Sequence, residues 1–243
     1  VSDRLDAFLA HNGLGTRSEV RHLIRAGLVT VGGAVCRDHA EHLRGRSVTV
    51  RGQAVEAGTA EATLLVHKPL GVSCSRDPRE APLLPGLYPA ELAHLAIEPA
   101  GRLDRDTSGL IICSTDGQLI HSLTNPKRRI WKRYRVGYEG RLSSHAVERC
   151  AKGMQLPDDD RPTLPAVLEE HAVGEATLHL CEGRYHQVRR MFAALGAAVV
   201  RLHRDRIGGL ELPPGLAAGT CVPADAAAIA RLFDPAAGPP CAP

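Results

Sequence analysis

Apolar residues open the chain at helical spacing and then give way to short alternating or continuous runs. Leu5, Phe8 and Leu9 share one helical face behind Arg4, and Asn12-Gly13 supplies a stop. Thr16-Arg17-Ser18-Glu19 has capping-box form, so a second helix is predicted to run from there to Gly27, with Val20, Leu23 and Ile24 as its apolar stripe. The runs 28–31, 34–36 and 47–50 are too short for helices, rich in β-branched residues and separated by turns such as Gly32-Gly33. They read as strands of a compact N-terminal unit over residues 1–52. Residues 53–61, rich in Ala, Gly and Glu, read as a linker.

Beyond the linker the pattern predicts a larger unit over residues 62–233. Thr63-Leu64-Leu65-Val66 is a buried-strand run closed by Lys68-Pro69-Leu70-Gly71, and Leu110-Ile111-Ile112-Cys113 is a second. A helix is expected over 117–123, ending before Pro126. Over 132–138, alternation places Lys132, Tyr134, Val136 and Tyr138 on one face and Arg133 and Arg135 on the other. Residues 175–181 alternate as a strand; Val188, Met191, Phe192 and Leu195 mark a helix closed by Gly196; Val199 to Leu202 is another strand, with His203 to Gly209 following it. The Pro- and Ala-rich end, 234–243, reads as a disordered tail.

Composition narrows the classes. The 243 residues are 44% hydrophobic and 23% charged, ordinary for a globular chain able to bury a core. A net charge of +3 is too small to argue for a nucleic-acid partner, so position must decide. Arg17, Arg21 and Arg25 recur every four residues on one helix, where like charges repel unless a partner such as phosphate offsets them. The segment 127–135 holds six cations in nine residues (Lys127, Arg128, Arg129, Lys132, Arg133 and Arg135) with Trp131 and Tyr134 between them, a pairing suited to phosphates and unpaired bases.

The seven cysteines never form a Cys-x-x-Cys pair, which argues against a disulfide framework and a zinc site. Asp158-Asp159-Asp160 lacks calcium-loop spacing and reads as a solvated loop, so no metal is expected. No run of about 18 apolar residues is present, so neither a membrane span nor a signal peptide is expected, and a reducing cytoplasm is the expected location.

Asp104 and Asp106, in the polar loop before the strand at Leu110, read on spacing alone as turn carboxylates. Three separated segments change that: Lys68-Pro69-x-Gly71, then Gly101-Arg102-Leu103-Asp104-x-x-Thr107-x-Gly109-Leu110, then Gly183-Arg184-Tyr185-His186-Gln187-Val188-Arg189-Arg190-Met191. In this order they resemble the RsuA-type pseudouridine synthases. Arg4-Leu5-Asp6, Thr16-Arg17-Ser18 and Gly27 to Val31 resemble the S4 RNA-binding domain that precedes the core in that family. The resemblance implies an α+β fold, in which a small S4-like domain is followed by a core with a mixed, largely antiparallel sheet flanked by helices.

It also implies isomerisation of uridine to pseudouridine in ribosomal RNA, without a cofactor. Asp104 would be the catalytic carboxylate, Tyr134 would stack on the flipped base and accept a proton directly or through water, and Arg189 would pair with Asp104 and keep it ionised. Arg102, Arg105, Lys68, Arg184, His186 and Arg190, with the basic segment and the first helix-face arginines, are expected to contact RNA. Ala151 to Leu156 and Pro165 to Glu169 resemble the 16S rRNA branch more than its 23S relatives. The expected partner is therefore 16S rRNA, free or in a small-subunit assembly intermediate, met by a monomer. The alternatives are a 23S enzyme of the same family, a non-catalytic S4-type assembly factor, and a glycosidase using Asp104 and Asp106. The last is disfavoured by the two-residue separation of its carboxylates and the absence of a sugar-binding aromatic surface.

Overall fold

The computed structural model describes residues 4–55, 62–93 and 95–239. The chain divides into two units: residues up to Thr63 with Tyr88–Glu98 and Ser114–Gly117, and Leu64–Leu87 with Pro99–Cys113 and the remainder.

In the first unit, helices α1 (Leu5–His11) and α2 (Arg17–Arg25) accompany strands β1 (Val29–Val31), β2 (Ala34–Val35), β3 (Val48–Val50) and β4 (Gln53–Val55), which form an antiparallel sheet in the order β2-β1-β3-β4. The capping box is present in full, with the Thr16 and Glu19 side chains each accepting the other residue's amide. Leu5, Leu9, Val20, Ile24 and Val29 are fully buried in its core. Asp6 is buried with them. Burial alone would raise its carboxyl, but bonds from Arg21 and Arg4 outweigh this and hold it below the usual carboxylate range. Arg21 is thereby committed to a carboxylate, while Arg17 and Arg25 are exposed. Gln53–Val55, expected in the linker, pair with β3 instead, and residues 56–61 lie outside the described residues.

The second sheet runs β13-β5-β7-β11-β8-β10-β9. Its strands are β5 (Thr63–Lys68), β7 (Ser108–Ser114), β8 (Lys132–Gly140), β9 (Val167–Ala172), β10 (Glu175–Leu180), β11 (Ala197–Ile207) and β13 (Cys221–Pro223); β6 (Glu98–Pro99) and β12 (Leu210–Glu211) are short additions paired with β7 and β11. Helices α3 (Gly117–Thr124), α4 (Ala146–Lys152), α5 (Gln187–Ala194) and α6 (Ala226–Leu232) complete the fold. β13 with β5, β8 with β10 and with β11, β9 with β10 and β11 with β12 pair antiparallel and β7 with β11 pairs parallel, so the sheet is mixed and largely antiparallel. Leu110, Ile112, Leu119, Ile207 and Leu232 share one core.

Two further expectations change. β11 continues through His203, Arg204 and Asp205 rather than stopping at Leu202, because its outward face is polar and a register shift interrupts the alternation. The expected tail begins with a 3-10 turn, Pro235–Ala237, capped by the Asp234 side chain; residues 240–243 lie outside the described residues.

Candidate active site

The loop from Gly101 to Thr107 is fixed mainly through its main chain. Gly71 N donates to Arg105 O at 2.8 Å, and Arg105 Nε returns a bond to Gly71 O at 3.0 Å. Lys68, the last residue of β5, is fully buried beneath it, with Nζ 3.0 Å from Pro69 O and 3.5 Å from Arg105 O. Burial pushes its ammonium pKa down, while Cys74, Asp106 and Asp104 pull the other way. The expected RNA contact at Lys68 is thus replaced by a brace, because strand alternation carries the side chain inward.

At the loop's exit β7 meets β11, with Gly109 opposite Arg204. Gly109 has φ +120°, and a β-carbon there would lie 2.1 Å from the Arg204 carbonyl oxygen. Only glycine permits both the conformation and the approach.

Arg189, on α5, reaches this loop but not the expected partner. Its Nη2 lies 2.7 Å from Asp106 Oδ2 and 3.1 Å from Asp106 O, and Nη1 donates to Val199 O at 3.0 Å. Asp104 instead faces His186, with Oδ1 3.6 Å from Nε2. Arg189 is held between the loop's main chain and the start of β11, whereas His186, at the N-cap of α5, stands beside Asp104. The Asp104 side chain is 31% exposed and takes part in no side-chain hydrogen bond among the described residues, so it is accessible to an incoming group.

Tyr134 sits near the start of β8, buried, opposite Leu178 on β10 and Arg204 on β11. Arg204 is the residue that sequence reasoning missed. It is 2% exposed, donates from Nε to Leu110 O at 2.9 Å, lies 6.0 Å from the Tyr134 ring centroid and places Nη1 3.4 Å from Tyr134 Oη. Its Nη2 is buried without a partner. Lys132, on the same strand as Tyr134, donates to Ile130 O, and burial with the nearby Arg204 charge pushes its pKa down to about 8. Tyr134 is therefore tied through Arg204 to Leu110, on the strand that follows the Asp104 loop.

The remaining cations divide. Arg184 binds Asp159 Oδ2 (2.9 Å), Glu182 Oε2 (3.2 Å) and Arg161 O (2.6 Å); Arg190 binds Asp159 Oδ1 (2.7 Å) and the Pro157 carbonyl. These two hold the 154–165 loop rather than standing free for RNA, and Asp159 belongs to their anchor rather than to a solvated run. Hydrogen bonds from Arg190 and Arg184 hold its carboxyl below the usual range. Arg133 and Arg135 converge on Asp205. Arg102, Arg105, Lys127, Arg128 and Arg129 are exposed. A cavity of about 880 Å³ beside the loop is lined by Arg105, Arg135, Arg189, Arg201, Asp106 and His203, among others. Among the described residues no group of three or more His, Cys, Asp or Glu is placed to hold a metal, and no helix is long and apolar enough to cross a membrane.

The family described as RNA pseudouridylate synthase matches residues 62–194, and the S4 domain matches residues 3–48. Proteins named ribosomal small subunit pseudouridine synthase A are similar: that of Pasteurella multocida is 39% identical over 217 residues, covering 89% of this chain and 93% of the relative. Those of Escherichia coli K12 and Vibrio cholerae are each 38% identical, covering 89% of this chain and 94% and 93% of the relatives. A crystal structure described as a pseudouridylate synthase superposes with a TM-score of 0.70 at 34% identity, covering 94% of this chain and 99% of that one.

Proposed function

The chain belongs to the RNA pseudouridylate synthase family, and from that premise we propose that it isomerises a uridine of 16S ribosomal RNA in the small subunit, with Asp104 as the catalytic carboxylate. One observation carries the residue assignment: of the two loop aspartates, Asp106 is engaged by Arg189 while Asp104 is left accessible and held by its main chain.

The reaction breaks the bond from uracil N1 to ribose C1′, turns the detached base and joins C5 to the same carbon, after which the C5 proton passes to a base and N1 takes up a proton, so the net change is an isomerisation. Atoms are conserved and no electrons are exchanged with a second reagent, so the chain's own residues suffice. Asp104 serves as nucleophile toward ribose or base, or as the charge that stabilises a cationic sugar. The uridine must first leave its stack, at a cost on the order of a few kcal/mol in a helix.

Tyr134 would contact the turned base, its hydroxyl set by Arg204, and serve as proton acceptor directly or through water. Arg189 supports the site as an anchor of the loop rather than as the counter-ion of Asp104. Arg17 and Arg25 in the S4 domain, with Arg102, Arg105 and Arg128 in the catalytic domain, would meet phosphates. We further propose that the enzyme works as a cytoplasmic monomer on small-subunit rRNA, free or in an assembly intermediate, with the segment up to Val55 as the RNA-binding domain and 62–233 as the catalytic domain.

The test is Asp104→Asn, assayed on small-subunit rRNA. RNA affinity and melting temperature should match the unaltered protein while turnover falls at least about 10³-fold. Substantial turnover would overturn the assignment. Mapping pseudouridine in rRNA from cells with and without the gene identifies the target, and a change confined to 23S rRNA would refute the small-subunit reading.

A further inference from the structure

Tyr185 and His186 are consecutive residues whose rings lie face to face, with centroids 3.9 Å apart and planes 14° from parallel. In an extended chain successive side chains point to opposite sides, so this stack needs an unusual backbone. His186 supplies it with φ +47°, in the left-handed region. The Tyr185 residue is 78% exposed, an unusual placement for a large aromatic in a chain that is 3% aromatic. His186, on the other side of the stack, is the residue that faces Asp104.

A cavity of about 750 Å³ adjoins the pair, lined also by Pro157, Asp158, Asp159, Arg190, Ala193 and Ala194. The guanidinium on this wall is already spent on Asp159 and on the Pro157 carbonyl, and Asp158 adds a carboxylate, so the recess offers aromatic and apolar surface beside negative charge and little free positive charge. Such a lining suits a flat, neutral ring better than a phosphate.

We propose that the Tyr185–His186 stack is a binding subsite for an unpaired RNA base next to the uridine at Asp104. The base lies on the outer face of Tyr185 beside the recess. The inference rests on the reading that Asp104 acts on a uridine in RNA, and it adds a recognition element that requires the neighbouring nucleotide to be unstacked as well. Stacking rather than hydrogen bonding to a base edge makes the subsite tolerant of base identity, with planarity as its requirement.

The experiment measures binding and turnover of a small-subunit rRNA transcript by the full chain and by Tyr185→Ala and Tyr185→Phe, over a range of salt concentrations. Tyr185→Ala should weaken binding about tenfold, the scale expected for loss of one stacked base, with the effect concentrated in KM rather than kcat. Tyr185→Phe should restore it. The slope of log Kd against log salt should stay unchanged, because no phosphate contact is lost. Unaltered affinity in Tyr185→Ala, a reduced salt slope, or a fall in kcat at constant KM would each overturn the subsite. Failure of the unaltered protein to form pseudouridine would count against the enzymatic reading, while the Kd comparison would still decide the subsite.

Discussion

The loop carrying Asp104 and the loop carrying Asp159 both lean on the stretch from Gly183 to Met191, yet their carboxylates are treated in opposite ways. Asp159 is 15% exposed and receives a guanidinium on each oxygen, from Arg190 at 2.7 Å and Arg184 at 2.9 Å. Asp104 is 31% exposed and has His186 at 3.6 Å. A carboxylate with a guanidinium on each oxygen is committed to holding structure; one without such a partner in a braced loop can act on something that arrives. The same arginine-rich motif thus builds an anchor with Arg184 and Arg190 and braces the Asp104 loop with Arg189.

The contrast can be broken at either loop. Asp104→Asn should have the largest effect, abolishing turnover while sparing the fold. Lys68→Met should come next. It keeps the buried volume but removes the hold on Pro69 O and Arg105 O, and a displaced loop should lower kcat by up to about 10²-fold, with melting followed in parallel to separate positioning from unfolding. Asp159→Asn should do the reverse of Asp104→Asn, lowering the melting temperature and raising protease sensitivity of the 154–165 loop while turnover at low temperature is largely kept. Because the Asp159 carboxyl is held below its ordinary value of 3.8, its contribution is present above that pH and is lost as pH falls through the lower folded value. A stability curve in which the Asp159→Asn deficit persists unchanged to low pH would sink this account.

Unanswered charge also has a positive counterpart at Lys132. Its folded pKa is about 8 against an ordinary 10.5, so the unfolded chain binds more protons between those values and stability rises with pH across that window. Lys132→Met should therefore stabilise the protein at pH 7 in urea titration, with the gain shrinking as pH climbs from 8 towards 10.5. This is the smallest of the expected effects, partly offset by the lost bond to Ile130 O.

Elements whose side chains obey one period were readable in advance. The Thr16 capping box, the alternation from Lys132 to Tyr138 and the apolar face of Val188, Met191 and Phe192 each depend on neighbours within a few positions. Partnerships across the chain were not. Arg189 and both loop aspartates were recognisable, but nothing in their spacing says which carboxylate the guanidinium meets. Arg184 and Arg190 reach Asp159, 25 and 31 positions away, through a loop with no periodic signal. Arg204 was hidden because His203-Arg204-Asp205-Arg206 looks like a polar loop, whereas β11 runs through it and turns this one arginine inward onto Tyr134. Its signal was its position in a strand-length run preceding Ile207, a cue outweighed by three charged residues in a row.

The hold on the Asp104 loop has an evolutionary consequence. Lys68, Gly71 and Arg189 reach it at the carbonyls of Arg105 and Asp106, and every amino acid carries a carbonyl. Side chains at these two positions can therefore be exchanged by mutation while much of the mooring persists, leaving descendants of this sequence room to explore new RNA contexts around an unmoved Asp104.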